Sequence, residues 1–100
     1  MNITHGFHAT MTAHPGKADE LIAALLTAPS LPNDDCVVFL VGRSAGTPDV
    51  VHVTEGWTTE EAHTRFFNSA EAQAFTAGIQ QLVADSHYTD EIPVGGKSAF

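Results

Sequence analysis

Polar and apolar residues alternate from the start of the chain. Over residues 3–12, Ile3, His5, Phe7, Ala9 and Met11 interleave with Thr4, Gly6, His8, Thr10 and Thr12. That period of two predicts a strand with one apolar face. His14-Pro15-Gly16 then marks a turn, with Pro15 suited to the first turn of a helix. Asp19 and Glu20 follow where a helix dipole favours anions, and Ala18, Leu21, Ile22, Leu25 and Leu26 form one apolar stripe. Pro29 and Pro32 end that helix. The polar turn Asn33-Asp34-Asp35 precedes a second strand over 36–43. Ser44 to Asp49 reads as a hairpin connection, and Val50 to Trp57 as a third strand with Val51, Val53, Glu55 and Trp57 on one face.

The pattern then returns to helical spacing. Thr58 and Glu61 have capping-box spacing. Ala62 and Phe66 share a face, with His63 and Phe67 beside them. Asn68-Ser69 breaks this helix, and Ser69 suits the N-cap of the next, which carries Ala72, Phe75, Ile79, Leu82 and Val83 at core spacing. Tyr88 to Val94 reads as a final strand. The order β-α-β-β-α-β, its second helix broken in two, is the ferredoxin-like α+β arrangement, an antiparallel sheet with helices on one face. Residues 1–94 form the expected single domain, and 95–100 a C-terminal tail.

The second strand changes this picture. Cys36, Val37, Val38, Phe39, Leu40 and Val41 are apolar without a break. Strand side chains point alternately to the two faces, so this run needs cover on both. Helices cover one; a second copy of the chain is the expected cover for the other, giving a homodimer.

Charge narrows the ligand. The formal net charge is −8, with Lys17, Arg43, Arg65 and Lys97 the only fixed cations. Nucleic acid requires clustered bases, so it is excluded as a partner, and an anionic membrane surface is disfavoured likewise. A small neutral, hydrophobic or aromatic molecule fits better. Cys36 is the sole cysteine, which excludes an intrachain disulfide and a multi-cysteine metal site; its setting predicts a buried thiol. With no signal-peptide pattern and no membrane-length apolar run, a cytoplasmic protein is expected.

Six histidines are the main candidates for chemistry. His5 interrupts the apolar face of the first strand, so it either lines a helix-side pocket or is a core histidine. His63 either lines the same pocket or is a partly exposed helix residue. His52 fits an interface as well as a site, and His8, His14 and His87 read as surface or turn residues. His5 and His8 point to opposite faces, and no His-Glu-x-x-His motif or carboxylate cluster is present, so no metal site is expected. Among the aromatics, Phe7, Trp57, Phe66 and Phe67 are the candidate pocket wall. The indole N–H of Trp57 needs a partner if buried, and a ligand oxygen would serve. Glu55 reads as the cross-strand partner of Arg43.

Pro15-Gly16-Lys17, Arg43-Ser44, Glu55-Gly56-Trp57, Glu61-Ala62, Ser69 and Ala74-Phe75, in this order and spacing, resemble the antibiotic biosynthesis monooxygenase (ABM) family of dimeric α+β barrel proteins. The likeness covers roughly residues 3–92. It implies a dimer with sheets packed face to face and a pocket between sheet and helices in each protomer. It also implies oxidation of phenolic or quinol-like aromatics with O₂ without flavin, haem or metal. His63 or His5, or a water held by one of them, would be the base. Quinol-oxidising members carry a histidine nine residues past the tryptophan of this motif; Phe66 stands there, and His63 lies one helical turn earlier. The positions matching the asparagine and axial histidine of haem-degrading relatives are Ala9 and Thr76, which argues against haem. Two other readings stay open: a binding protein without chemistry, or a non-redox isomerase, lyase or cyclase of the same fold.

Overall fold

The computed structural model describes residues 2–97. The elements are β1 (His5–Ala13), α1 (Ala18–Leu25), β2 (Cys36–Arg43), β3 (Val50–Trp57), α2 (Glu60–Phe67), α3 (Ala70–Gln80) and β4 (Val83–Glu91). The strands form one antiparallel sheet in the order β2-β3-β1-β4. This is the ferredoxin-like arrangement, an open sheet with β2 and β4 at its edges. The helices lie on one face, where Leu21 and Leu25 of α1 and Ile79 of α3 meet Met11, Val51 and Val53 of the central strands. No helix among the described residues is long and apolar enough to cross a membrane.

Local chemistry moves several boundaries. Pro15 is not inside α1. Lys17 N donates to His14 O at 2.9 Å, and Gly16 has φ +78°. Proline followed by a positive-φ glycine suits a type II turn, so the helix starts only at Ala18. The cap of α2 is Thr59, whose side chain accepts from Ala62 N at 3.0 Å; Thr58 instead donates to Asp35 Oδ1 at 2.7 Å. Ser69 caps α3 as its sequence suggests, accepting from Ala72 N at 3.1 Å. Leu82 and Val83 fall outside α3: its last turn closes with Leu82 N donating to Ile79 O, and Val83 opens β4 opposite Ala13. β4 begins five residues before the Tyr88 start that its composition suggests. Val83–Glu91 is an exposed, polar edge with little apolar alternation to reveal it, and edge strands are often kept polar because this discourages stray pairing.

The face away from the helices carries His8, Thr10, His52, Thr54, His87 and Thr89, with Val38 and Leu40 on β2. Ile3 precedes β1 and does not join its helix-side row. It lies over Gly56 beside Val38, where a Cβ on residue 56 would sit 3.1–3.2 Å from both side chains. β2 is half-buried along most of its length and Leu40 is 52% exposed. The tail is described only to Lys97, so the rest of it, with Phe100, lies outside the described residues.

Candidate functional site

Register brings the site together. His5 pairs with Trp57, and Phe7 pairs with Glu55 on one side and Asp90 on the other. Directly paired residues project to the same face, so His5, Phe7, Glu55, Trp57 and Asp90 all face the helices. There, α2 lowers His63 into their midst. The His63 ring lies 4.9 Å from Trp57, 5.0 Å from His5 and 5.1 Å from Phe7, centroid to centroid.

His5 Nε2 and His63 Nδ1 are 3.0 Å apart, so one ring N–H donates to the other. The same His5 Nε2 is 3.2 Å from Asp90 Oδ1. The remaining ring nitrogens also look at carboxylates: His5 Nδ1 is 3.9 Å from Glu60 Oε2, and His63 Nε2 is 3.9 Å from Glu55 Oε1. His5 is buried, and Asp90 stands 69% exposed at the rim. Burial first, and then neighbouring His5, hold the His63 imidazole below the usual histidine range; Asp90 and Glu60 pull the other way.

A cavity of about 790 Å³ opens over this pair. Its walls include Phe7, Phe66, Phe67, Phe75 and Tyr88, with Phe7 and Tyr88 stacked at 5.8 Å. Glu55, Glu60, Asp85 and Asp90 line it, and among the described residues no lysine or arginine does. Ala9 and Thr76, the positions compared with haem ligands, also lie on its wall.

Each candidate residue has a definite place. His5, His63, Phe7, Phe66 and Phe67 line the cavity. Trp57 sits behind it, 0% exposed, against His63 and Phe66. Its indole N–H donates to Glu55 Oε1 at 2.8 Å, so a side chain of the protein, not a ligand, satisfies it. Glu55 therefore does not pair with Arg43, which bonds to Asp19 on α1. The reason is distance along the hairpin: Glu55 is opposite Phe39, while Arg43 is opposite Val51, four residues away on the same face and beside α1. His52 is on the outer face, 3.2 Å from Thr10 Oγ1. The Cys36 thiol is pushed up to about 12 by burial and then by Glu55, which leaves it protonated and inert.

Sequence reading missed Asp90, Glu60 and Glu55 as site residues. No sequence motif announces that ligating atoms of His5, His63 and Asp90 all lie within 4.8 Å of one another. Only the β1–β4 register places Asp90 beside Phe7, and spacing along the chain does not reveal that register.

Glu55 makes a pH-dependent prediction. Burial raises its carboxyl above the usual carboxylate range, against the lowering effect of the Trp57 N–H. A folded-state pKa above the unfolded one favours folding at low pH; that contribution is lost as pH rises through the raised value. Glu55→Gln removes the titration and keeps an acceptor for Trp57. The variant is expected to match the wild type in urea unfolding near pH 4 and to exceed it in stability increasingly towards pH 8.

The open α+β sheet, its helices on one face and its aromatic, histidine-bearing cavity define a class of small ferredoxin-like domains. The sequence model of the family described as antibiotic biosynthesis monooxygenase matches residues 4–78, and the chain belongs to that family. Among solved structures it is similar to a candidate antibiotic biosynthesis monooxygenase from Chloroflexus aurantiacus J-10-fl, at 29% identity. That match covers 95% of this chain and 97% of that one, with a TM-score of 0.85. A second candidate of the same description, from Deinococcus radiodurans, shares the fold at 19% identity, with 96% and 98% of the two chains covered and a TM-score of 0.82. A Pseudomonas aeruginosa protein shares it at 23% identity, with 93% and 96% covered and a TM-score of 0.79. Nothing among curated proteins matches.

Proposed function

We propose that this protein oxidises a small, electron-rich aromatic of the phenol or hydroquinone type with O₂, without a flavin or haem. The observation that carries this reading is a hydrogen-bonded His5–His63 pair at the floor of an aromatic-walled cavity. When His63 Nδ1–H donates to His5, Nε2 of His63 keeps a free lone pair, since Glu55 at 3.9 Å is beyond hydrogen-bond reach. A phenolic proton passes to Nε2. The phenolate gives one electron to O₂, and the radical pair recombines to form a C–O bond. Loss of water then completes the balance, hydroquinone and O₂ giving hydroxyquinone and water. The imidazolium formed on His63 faces the carboxylates of Glu55, Glu60 and Asp90, which stabilise it.

The acidic lining specifies the substrate further. A carboxylated or sulfonated aromatic would meet four acids and, among the described residues, no fixed cation, so the substrate is neutral or cationic. The test is oxygen uptake with a panel of hydroquinones. Neutral members should be consumed above the uncatalysed rate, and carboxylated analogues should not. Binding by calorimetry with no uptake from any member would reject oxidation in favour of a binding protein, and turnover without O₂ would favour a non-redox enzyme.

The reading includes a second copy of the chain against the outer face. Ile3, Val38 and Leu40 on that face support it. Light scattering at micromolar concentration is expected to give twice the chain mass; a monomer would remove this part of the proposal.

A further inference from the structure

We propose that His5, His63 and Asp90 form a binding site for a divalent first-row transition-metal ion at the floor of the cavity. The ligands would be His5 Nε2, His63 Nδ1 and Asp90 Oδ1. Two separations, 3.0 Å and 3.2 Å, share the atom His5 Nε2. One N–H cannot serve two acceptors well, whereas one cation can serve three lone pairs. Bonds of roughly 2.0–2.2 Å to nitrogen or oxygen put neighbouring ligand atoms about 2.9–3.6 Å apart, and both distances fall in that window.

Two further observations point the same way. The nitrogens left over, His5 Nδ1 and His63 Nε2, face Glu60 and Glu55, each at 3.9 Å. Metal-ligating histidines commonly orient their second nitrogen on a carboxylate, and a shift of a side chain by about 1 Å would close either pair to hydrogen-bond range. The cavity lining is also acidic, with no lysine or arginine among its described residues, so a cation entering it meets attraction. Two imidazoles and one carboxylate favour borderline ions such as Zn²⁺, Co²⁺, Ni²⁺ or Fe²⁺ over Mg²⁺ or Ca²⁺, and such a triad leaves coordination positions open. All three residues line the cavity.

The site does not rest on the proposed oxidation; it uses the same residues differently. A metal on His63 Nδ1 fixes the proton on Nε2, the atom proposed above as the base. Ion binding and that proton abstraction therefore exclude each other.

The experiment is equilibrium dialysis of the full chain with Zn²⁺ at micromolar concentration, followed by metal analysis, with Co²⁺ absorption as the second readout. One ion per chain is expected. Asp90→Ala, on an exposed edge strand, should fold and bind at least about tenfold more weakly, and His63→Ala should abolish binding. His8→Ala, on the outer face, should bind as the wild type does. No retention of Zn²⁺ by the native chain would overturn the proposal. So would binding by Asp90→Ala equal to that of the native chain, or binding that survives His63→Ala. One bound ion with no oxygen uptake from any hydroquinone would support this site and count only against the proposed oxidation.

Discussion

Trp57→Ala is expected to lower the unfolding free energy by about 3–5 kcal/mol, the usual cost of deleting a buried tryptophan. Domains of this size are stable by only about 5–15 kcal/mol, so the variant should lose a large fraction of its stability. Trp57 has no exposed surface, and its ring touches both His63 and Phe66. Its loss would open a void behind the cavity floor and strip Glu55 of the indole donor. Trp57→Phe separates the two effects. It keeps most of the ring and removes the N–H, and is expected to cost about 1–3 kcal/mol, the range for an acceptor left without its partner. That cost should grow with pH. The lost N–H favours the ionised form of Glu55, so its absence hurts most where the carboxyl would be charged. Urea midpoints at pH 4 and pH 8 measure both parts; a pH-independent Trp57→Phe penalty would show that Glu55 does not depend on the indole.

The contrast between Trp57 and Asp90 shows where sequence reading succeeds in this chain. β2, an unbroken apolar run, and β3, an alternating one, match their predicted bounds, and β3 placed Val51, Val53, Glu55 and Trp57 on one face as expected. His5 and His63 were legible as candidates because each is a titratable residue in an apolar pattern. Their mutual contact was not, since it joins residues 58 apart through the crossing of α2 over β1. Asp90 was hidden for a different reason. β4 is an exposed edge of polar residues, so its limits and its register leave no periodic trace. Thr58, Pro15 and Leu82 erred by one to three residues, because each choice between turn, cap and helix turned on a single hydrogen bond.

Phe66 and His63 lie one helical turn apart on α2 and face the same cavity. Where quinol-oxidising relatives are expected to carry a histidine, Phe66 packs at a tilt against Trp57, centroids 5.3 Å apart. His63, three residues earlier on the same helix, reaches between Trp57, Phe7 and His5. The imidazole thereby meets a second histidine through Nδ1 and looks at Glu55 through Nε2. Phe66 and His63 thus both line the cavity.

The placement of His63 leads to the largest expected kinetic effect. With a neutral hydroquinone that supports oxygen uptake, His63→Ala should lower kcat/KM by roughly 10²–10⁴-fold, the range for loss of a general base. His5→Ala should cost less, because His5 acts on His63: its Nε2 fixes which nitrogen of His63 carries the proton. Removing His5 frees His63 to adopt either tautomer, and only one presents the Nε2 lone pair. The double variant should then be no slower than His63→Ala alone, because residues acting as one unit are not additive. Three rates and the wild type complete the cycle. If the double variant is slower by the product of the two single effects, the histidines act independently and the shared proton has no kinetic role. If His63→Ala keeps the full rate while His5→Ala loses it, the base is His5, and the substrate hydroxyl must approach from the Asp90 rim instead of the Glu55 side.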